Sequence, residues 1–415
     1  MRISGDLTFP GDKSISHRAL MLAALTNGEC IIDNLSTGVD VESTRQCLMT
    51  CGVQSEKNGK QVVITGNTLK NPASDLDCGN SGTTARLLTG LLAGQGITTT
   101  LTGDKSLSQR PMERIIQPLG LMGASFENEN GYLPLRLNSA PLTGIEYSPP
   151  VASAQVKSAI LFAGLGAEGE TTVIEKTKTR DHTERMLHVL GADIRLDGNR
   201  STIKKLENPL KPFAMKVPSD PSTAAFFAAA AALVPGSNLI LKGILSNPTR
   251  TGFFSALEKM GAGMECLNQW KENGEDVGDL RIFHQSLKGI NISGNQIPVV
   301  IDELPILAIL ATQAEGVTMV QDARELRVKE SDRISAICVN LRRMGANVEE
   351  LEDGFVITGP TPLHSAQITT HNDHRIAMAF TIAGLISDEP ITLDNSDCIA
   401  ISCPEFDYLL KQVVR

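Results

Sequence analysis

The residues able to do chemistry gather at the entrances of apolar helices. Phe9-Pro10-Gly11-Asp12-Lys13-Ser14-Ile15-Ser16-His17-Arg18 leads into an apolar stretch beginning at Ala19. Lys13, Ser14, Arg18 and backbone N–H groups could therefore meet an anion at a helix N-terminus. The GxxxxGK[ST] spacing of a P-loop is missing, because Asp12 stands between Gly11 and Lys13. A capped helix with solvated charges explains the segment equally well. Asp77-Cys78-Gly79-Asn80-Ser81-Gly82-Thr83-Thr84-Ala85-Arg86 precedes a second apolar helix. Its glycines let a ligand approach the backbone, and its Ser and Thr side chains suit a structural cap just as well. Gly103-Asp104-Lys105-Ser106 echoes the first segment and leads to Gln109-Arg110-Pro111, where Arg110 taken alone reads as surface decoration.

Carboxylates enter farther along. Asp302 and Glu303 lie between an expected apolar strand, Ile297-Pro298-Val299-Val300-Ile301, and an apolar helix. An unpaired charge there is costly, and a perturbed pKa is expected. Arg327-Val328-Lys329-Glu330-Ser331-Asp332-Arg333 is expected to set Lys329 and Arg333 four apart on one helix face, beside Glu330 and Asp332. In isolation an exposed, salt-bridged turn is the simpler account. His371-Asn372-Asp373-His374-Arg375 offers two histidines but no further ligand at a fitting spacing, and Arg375 repels a cation. Arg375 reads as an anion contact, and no metal is expected.

These segments recur because the chain repeats. A phrase Leu-x-x-hydrophobic-Gly-Ala/Val closes successive amphipathic stretches, with glycines at 52, 123, 191, 261 and 345, a period of roughly 70 residues. Interleaved with it run apolar helices expected at 19–25, 84–92, 156–165, 224–233, 304–311 and 376–386. These are apolar nearly all round and should be buried, whereas the helices before each Gly-Ala phrase carry one polar face and should cover a sheet. A hairpin signal follows each phrase, as in Val62-Val63-Ile64-Thr65-Gly66. The sixth copy is cut short, its amphipathic helix expected at 406–414. Units of this length favour compact subdomains over a solenoid, and suggest an α/β protein of two domains with three units each.

Bulk properties agree. A chain of 415 residues that is 41% hydrophobic exceeds one ordinary domain. A net charge of −9 argues against a general affinity for nucleic acid or anionic membranes. The charge-free stretch 221–241 approaches the length of a membrane span, but Pro235-Gly236 interrupts it. Nothing near Met1 resembles a secretory signal, and eight scattered cysteines without a CxxC pair read as reduced thiols, mostly buried. The expected location is the cytoplasm.

Taken in order, the segments closely resemble the 5-enolpyruvylshikimate-3-phosphate synthase family over nearly the whole chain. The resemblance implies a two-domain inside-out α/β barrel of six βαβαββ repeats. Residues 1–11 and 221–415 would form one discontinuous domain and 12–220 the other, with the active site in the cleft between them. It implies transfer of the enolpyruvyl group of phosphoenolpyruvate to the 5-hydroxyl of shikimate 3-phosphate, by a monomer without cofactor or metal. Shikimate 3-phosphate would be held by Lys13, Ser14, Arg18, Ser153, the Ala154 backbone, Gln155, Arg180, Asp302 and Lys329. Phosphoenolpyruvate would be held by Lys13, Gly82, Arg110, Gln155, Arg333 and Arg375. Asp302 would exchange a proton at the hydroxyl, and Glu330 with Lys13 at the methylene. Two phosphates and two carboxylates need many guanidinium and ammonium donors, and an acidic protein can supply them within a cleft. In that family the glycine matching Gly82 touches the donor site, where glyphosate competes. Ser153-Ala154-Gln155 and Arg180 follow one branch of the family, and Ile401 replaces a ligand-binding Lys found in another. The rivals are a UDP-N-acetylglucosamine enolpyruvyl transferase, whose Lys-Asn pair and reactive cysteine loop find no match here, and a non-catalytic repeat-built binding protein.

Overall fold

A computed structural model describes all 415 residues. The chain forms two compact units, Met1–Pro10 with Pro218–Lys271 and Asp276–Arg415, and Gly11–Val217 with Glu272–Glu275. The short segment Glu272–Glu275 is the tip of a long hairpin, and nothing in the sequence pattern separates it from its strands. There the Glu275 carboxylate meets His182 Nδ1 at 2.7 Å, both groups buried.

Each unit is built from a repeated layout of one parallel strand pair extended by an antiparallel hairpin. In the second unit Ala214–Lys216 pairs in parallel with Gly28–Asp33, which pairs antiparallel with Gln61–Gly66, and that strand with Gln54–Asn58. The sheet Leu76–Asp77, Thr99–Thr102, Tyr132–Asn138, Ser125–Glu129 repeats the order, as does Glu146–Tyr147, Glu170–Ile174, Arg200–Lys204, Ile194–Asp197. In the first unit Ser4–Thr8 pairs in parallel with Asn238–Leu245. The last repeat keeps only the parallel pair Gln367–Ile368 and Thr392–Leu393, after which the chain ends in the helix Phe406–Val413.

The glycines behind the repeat signal have a common conformation. Gly52, Gly123, Gly191, Gly261 and Gly345 all have φ between 82° and 107° where a covering helix has just ended. A side chain there would be strained, so glycine returns at each helix exit.

Helices lie inside and sheets outside. Lys13–Ala24, Gly82–Gly94 and Ala154–Gly164 are buried in the second unit; Pro221–Leu233, Leu304–Thr312 and His374–Ala383 in the first. Every residue of Pro221–Leu233 is buried, as its alanine-rich sequence requires. Strand Tyr132–Asn138 alternates exposed and buried residues, the mark of a sheet with one face on the helices and one in water. In the first unit Phe9, Phe227 and Phe406 stack with ring centroids 5.2 Å apart, joining the first strand, a buried helix and the C-terminal helix. All eight cysteines are free, and only Cys266 is exposed.

One expected strand is a helix. Residues Ile297–Val300 form a helical turn with Pro298 in its first turn, followed by a 3-10 turn Ile301–Glu303 and the buried helix Leu304–Thr312. The β-branched run suggested a strand, but proline suits a helix start and the side chains pack on the helical core. The run Gly294–Thr312 is long and apolar enough to cross a membrane by composition, yet 61% of it is buried in the protein.

Candidate active site

In the second unit most of the expected residues stand in the first turns of its three buried helices, while Arg110 and Arg180 lie in connecting segments outside them. Asp12 caps the first, accepting from the Ile15 N–H at 2.8 Å, which fixes where Lys13 and Ser14 leave the backbone. Lys13 Nζ lies 3.1 Å from Asp40 Oδ2. Arg18 is buried and donates from Nε to Thr183 Oγ1 at 2.7 Å, from Nη2 to Ser158 Oγ at 2.7 Å and from Nη1 to the Ser14 carbonyl at 2.8 Å. Burial pulls its guanidinium down to about 10, against the raising influence of Glu184 and Asp12. Part of its donor capacity thus holds Ser14 in place, while Arg180 Nη1 reaches Ser14 Oγ at 3.4 Å.

Ser81 caps the second helix by accepting from the Thr84 N–H at 3.1 Å, with Gly82 as its first residue. Arg110 is tied to the same loop, donating from Nη2 to Asn80 Oδ1 at 2.7 Å and to Ser106 Oγ at 3.1 Å. A Cβ placed on Gly82 would lie 2.8 Å from Arg86 Nη1 and 3.6 Å from Arg110 Nη1. Ser153 caps the third helix, which Ala154 and Gln155 begin. Gln155 joins two helices: its amide donates to Thr83 Oγ1 at 3.0 Å and accepts from Arg86 Nη1 at 2.8 Å. Arg86 is absent from the expected site set, although its place one helical turn after Gly82 puts it on the same face.

In the first unit Asp302 is the centre of a cation cluster. Its Oδ1 lies 3.6 Å from Lys329 Nζ and 3.6 Å from Arg333 Nη1, and its Oδ2 4.0 Å from Arg375 Nη2. Lys329 and Arg333 do not share a helix face as the spacing suggested. Lys329 is extended after the 3-10 turn Arg324–Val328, and Asp332 caps a helix that begins only at Arg333. The cap breaks the helix between them, and both still converge on one carboxylate.

Arg333 is almost wholly buried. Its Nε and Nη2 donate to the two oxygens of Asp373 at 2.8 and 3.2 Å, and Nη2 also donates to Glu330 Oε2 at 2.6 Å. Burial works against its charge, yet Asp373, Glu330 and Asp302 together hold the guanidinium above its ordinary value. Nη1 makes no hydrogen bond and points at the Asp302 side. Asp373, missing from the expected set, also caps the helix His374–Ala383 through the Arg375 N–H at 3.0 Å, and so orients both arginines. The cap position of Asp373 ahead of an apolar helix was the available signal.

Chemically, the first unit offers anion-binding cations around a partly exposed carboxylate, and a second carboxylate, Glu330, hydrogen-bonded to one of them. The second unit offers cations and helix N-termini. Residues 1–410 match the family described as EPSP synthase (3-phosphoshikimate 1-carboxyvinyltransferase). The chain belongs to the EPSP synthase family. A relative named 3-phosphoshikimate 1-carboxyvinyltransferase from Desulforamulus reducens is 47% identical, with 100% of this chain and 97% of the relative aligned. One of the same name from Bacillus licheniformis is 47% identical over 97% of this chain and 96% of its own. Among solved structures, EPSP synthase from Acinetobacter baumannii superposes with a TM-score of 0.89 at 43% identity, covering 99% of this chain and 96% of that one. The enolpyruvyl transferase NikO from Streptomyces tendae shares the fold, with a TM-score of 0.79 at 19% identity. EPSP synthase family membership disfavours both rivals, the UDP-N-acetylglucosamine transferase and the binding protein.

Proposed function

We propose that the chain transfers the carboxyvinyl group of phosphoenolpyruvate to the 5-hydroxyl of shikimate 3-phosphate, as a cytoplasmic monomer. The observation that carries the residue roles is the Asp302 carboxylate ringed by Lys329, Arg333 and Arg375. The 5-hydroxyl oxygen bonds to the middle carbon of phosphoenolpyruvate while Asp302 takes the hydroxyl proton. Glu330, with Lys13, delivers a proton to the methylene carbon, giving a tetrahedral intermediate. The bond from the middle carbon to the phosphate oxygen then breaks, Asp302 giving its proton to the departing phosphate, and the methyl group returns a proton to Glu330 to restore the double bond.

Arg333, Arg375, Arg110, Lys13 and Gln155, beside Gly82, hold the donor's carboxylate and phosphate. Ser14, Arg18, Ser153, the Ala154 backbone, Gln155, Arg180 and Lys329 hold the shikimate ester. Arginine forks suit these oxyanions, and cations fixed before the reaction stabilise charge as it moves. The steps form one carbon–oxygen bond, break another to release phosphate and move protons, for which side chains suffice.

Phosphate release from phosphoenolpyruvate is the test, run with shikimate 3-phosphate, with UDP-N-acetylglucosamine and with no acceptor. Release is expected with shikimate 3-phosphate alone. Release with the nucleotide sugar, or none with either acceptor, overturns the proposal.

A further inference from the structure

Of the paired acidic residues Asp302-Glu303, the proposed chemistry uses only the first. Glu303 is 2% exposed, so its charge must be met within the protein. Its Oε1 accepts the hydroxyl of Ser222 and lies 3.5 Å from Arg375 Nη1. The direction of the Ser222 hydroxyl is forced. Arg250 Nη2 donates to Ser222 Oγ at 3.0 Å, and an arginine cannot accept, so the hydroxyl hydrogen is left for Glu303. Arg250 is in turn 3.4 Å from Asp220, whose carboxylate caps the helix Pro221–Leu233 through the Ser222 and Thr223 N–H groups. Glu303 therefore abuts the N-terminus of a buried helix, where an anion is favoured.

Arg375 receives this fixed charge on one side. Its Nη1 also donates to the Asp302 carbonyl at 3.0 Å, so successive residues grip the same nitrogen, one through the backbone and one through a carboxylate. The other terminal nitrogen, Nη2, stays on the side of the Asp302 carboxylate, 4.0 Å away. We infer that Glu303 is a positioning residue for the donor: it holds the Arg375 guanidinium with Nη2 turned toward the substrate anion, and is itself anchored by Ser222 and Arg250. The inference rests on the reading that Arg375 binds phosphoenolpyruvate.

The test is a double-mutant cycle on the full chain, with Glu303→Gln and Arg375→Ala, reading KM for each substrate and kcat. Glutamine keeps an oxygen for Ser222 and removes only the charge. Glu303→Gln is expected to raise KM for phosphoenolpyruvate about tenfold, with KM for shikimate 3-phosphate and kcat within about twofold of the parent. In the Arg375→Ala background it is expected to change neither KM further. Glu303→Asp, which retains the charge on a shorter arm, is expected to recover part of the loss. If Arg375→Ala leaves donor KM unchanged, the reading of Arg375 fails. If Arg375→Ala raises it but Glu303→Gln does not, or the two effects add fully, or both substrates weaken together, the role given to Glu303 fails alone.

Discussion

A methyl group added at Gly82 tests the proposed donor side of the second unit most sharply. Gly82 does not have the positive φ of the repeat glycines, so Gly82→Ala fits its backbone, and at a helix start alanine adds up to about 1 kcal/mol of helix preference. The cost is local. The new Cβ would lie 2.8 Å from Arg86 Nη1, while ordinary contacts between such atoms are about 3.5–4.0 Å, so the guanidinium must retreat by roughly 1 Å. That nitrogen donates to Gln155 Oε1 at 2.8 Å, and the same retreat takes the pair beyond hydrogen-bond distance. A hydrogen bond to a charged group contributes about 1.5–3 kcal/mol, and partial re-formation leaves a loss of about 1 kcal/mol, or roughly fivefold in KM for phosphoenolpyruvate. Glyphosate is longer than the natural donor, so its inhibition constant is expected to rise by a larger factor than that KM. Steady-state kinetics on the parent, Gly82→Ala, Arg86→Ala and the double variant measure all of this. Because the path runs through Arg86, the methyl should add little once Arg86 is alanine. Equal shifts for inhibitor and donor, or a methyl effect undiminished in the double variant, would refute the reasoning.

Asp302→Ala is expected to lower kcat by roughly two orders of magnitude or more while shikimate 3-phosphate still binds; calorimetry showing lost binding with turnover preserved reverses its role. Since the residues proposed for the two substrates are divided between the units, adding shikimate 3-phosphate with an unreactive donor analogue should compact the protein in solution scattering, and an unchanged radius of gyration counts against this. Hydrogen bonds from Arg45 hold the Glu42 carboxyl down at about 2 from its ordinary 4.5, so its stabilisation is present above pH 4.5 and lost as pH falls toward 2. Solvent screening at this partly exposed pair limits that to about 1 kcal/mol. Glu42→Gln should therefore lower Tm by about 2 °C at neutral pH, and a gap that does not close on acidification rejects the assignment.

The repeats were legible because two strong signals coincide: helices apolar on every side, and a glycine whose positive φ each helix exit requires. The strand read at Ile297-Pro298-Val299-Val300-Ile301 failed because β-branched composition cannot distinguish a buried strand from a buried helical turn, and the surrounding helices decided it. At the site, caps were expected ahead of the first two buried helices, where Asp12 and Ser81 supply them, since capping needs only local spacing, whereas the cap at Ser153 was not anticipated. The burial of Arg333, its clamp by Asp373 and the grip of Glu303 on Arg375 arise from residues tens of positions apart, and no local pattern encodes them.

The parallel pairing of the first strand sets a clock on synthesis. Ile3 and its partner Ser237 are 234 residues apart, and the strand Ser4–Thr8 completes its sheet only when Asn238–Leu245 has been made. At roughly 5–20 residues per second, the ribosome takes on the order of 10–50 s to deliver that partner. For most of this interval Phe9, later wholly enclosed, lacks Phe227 of the helix Pro221–Leu233, against which it packs. The segment Gly11–Val217, by contrast, is made without a break, so all of the second unit except Glu272–Glu275 is available before the first unit's sheet can close.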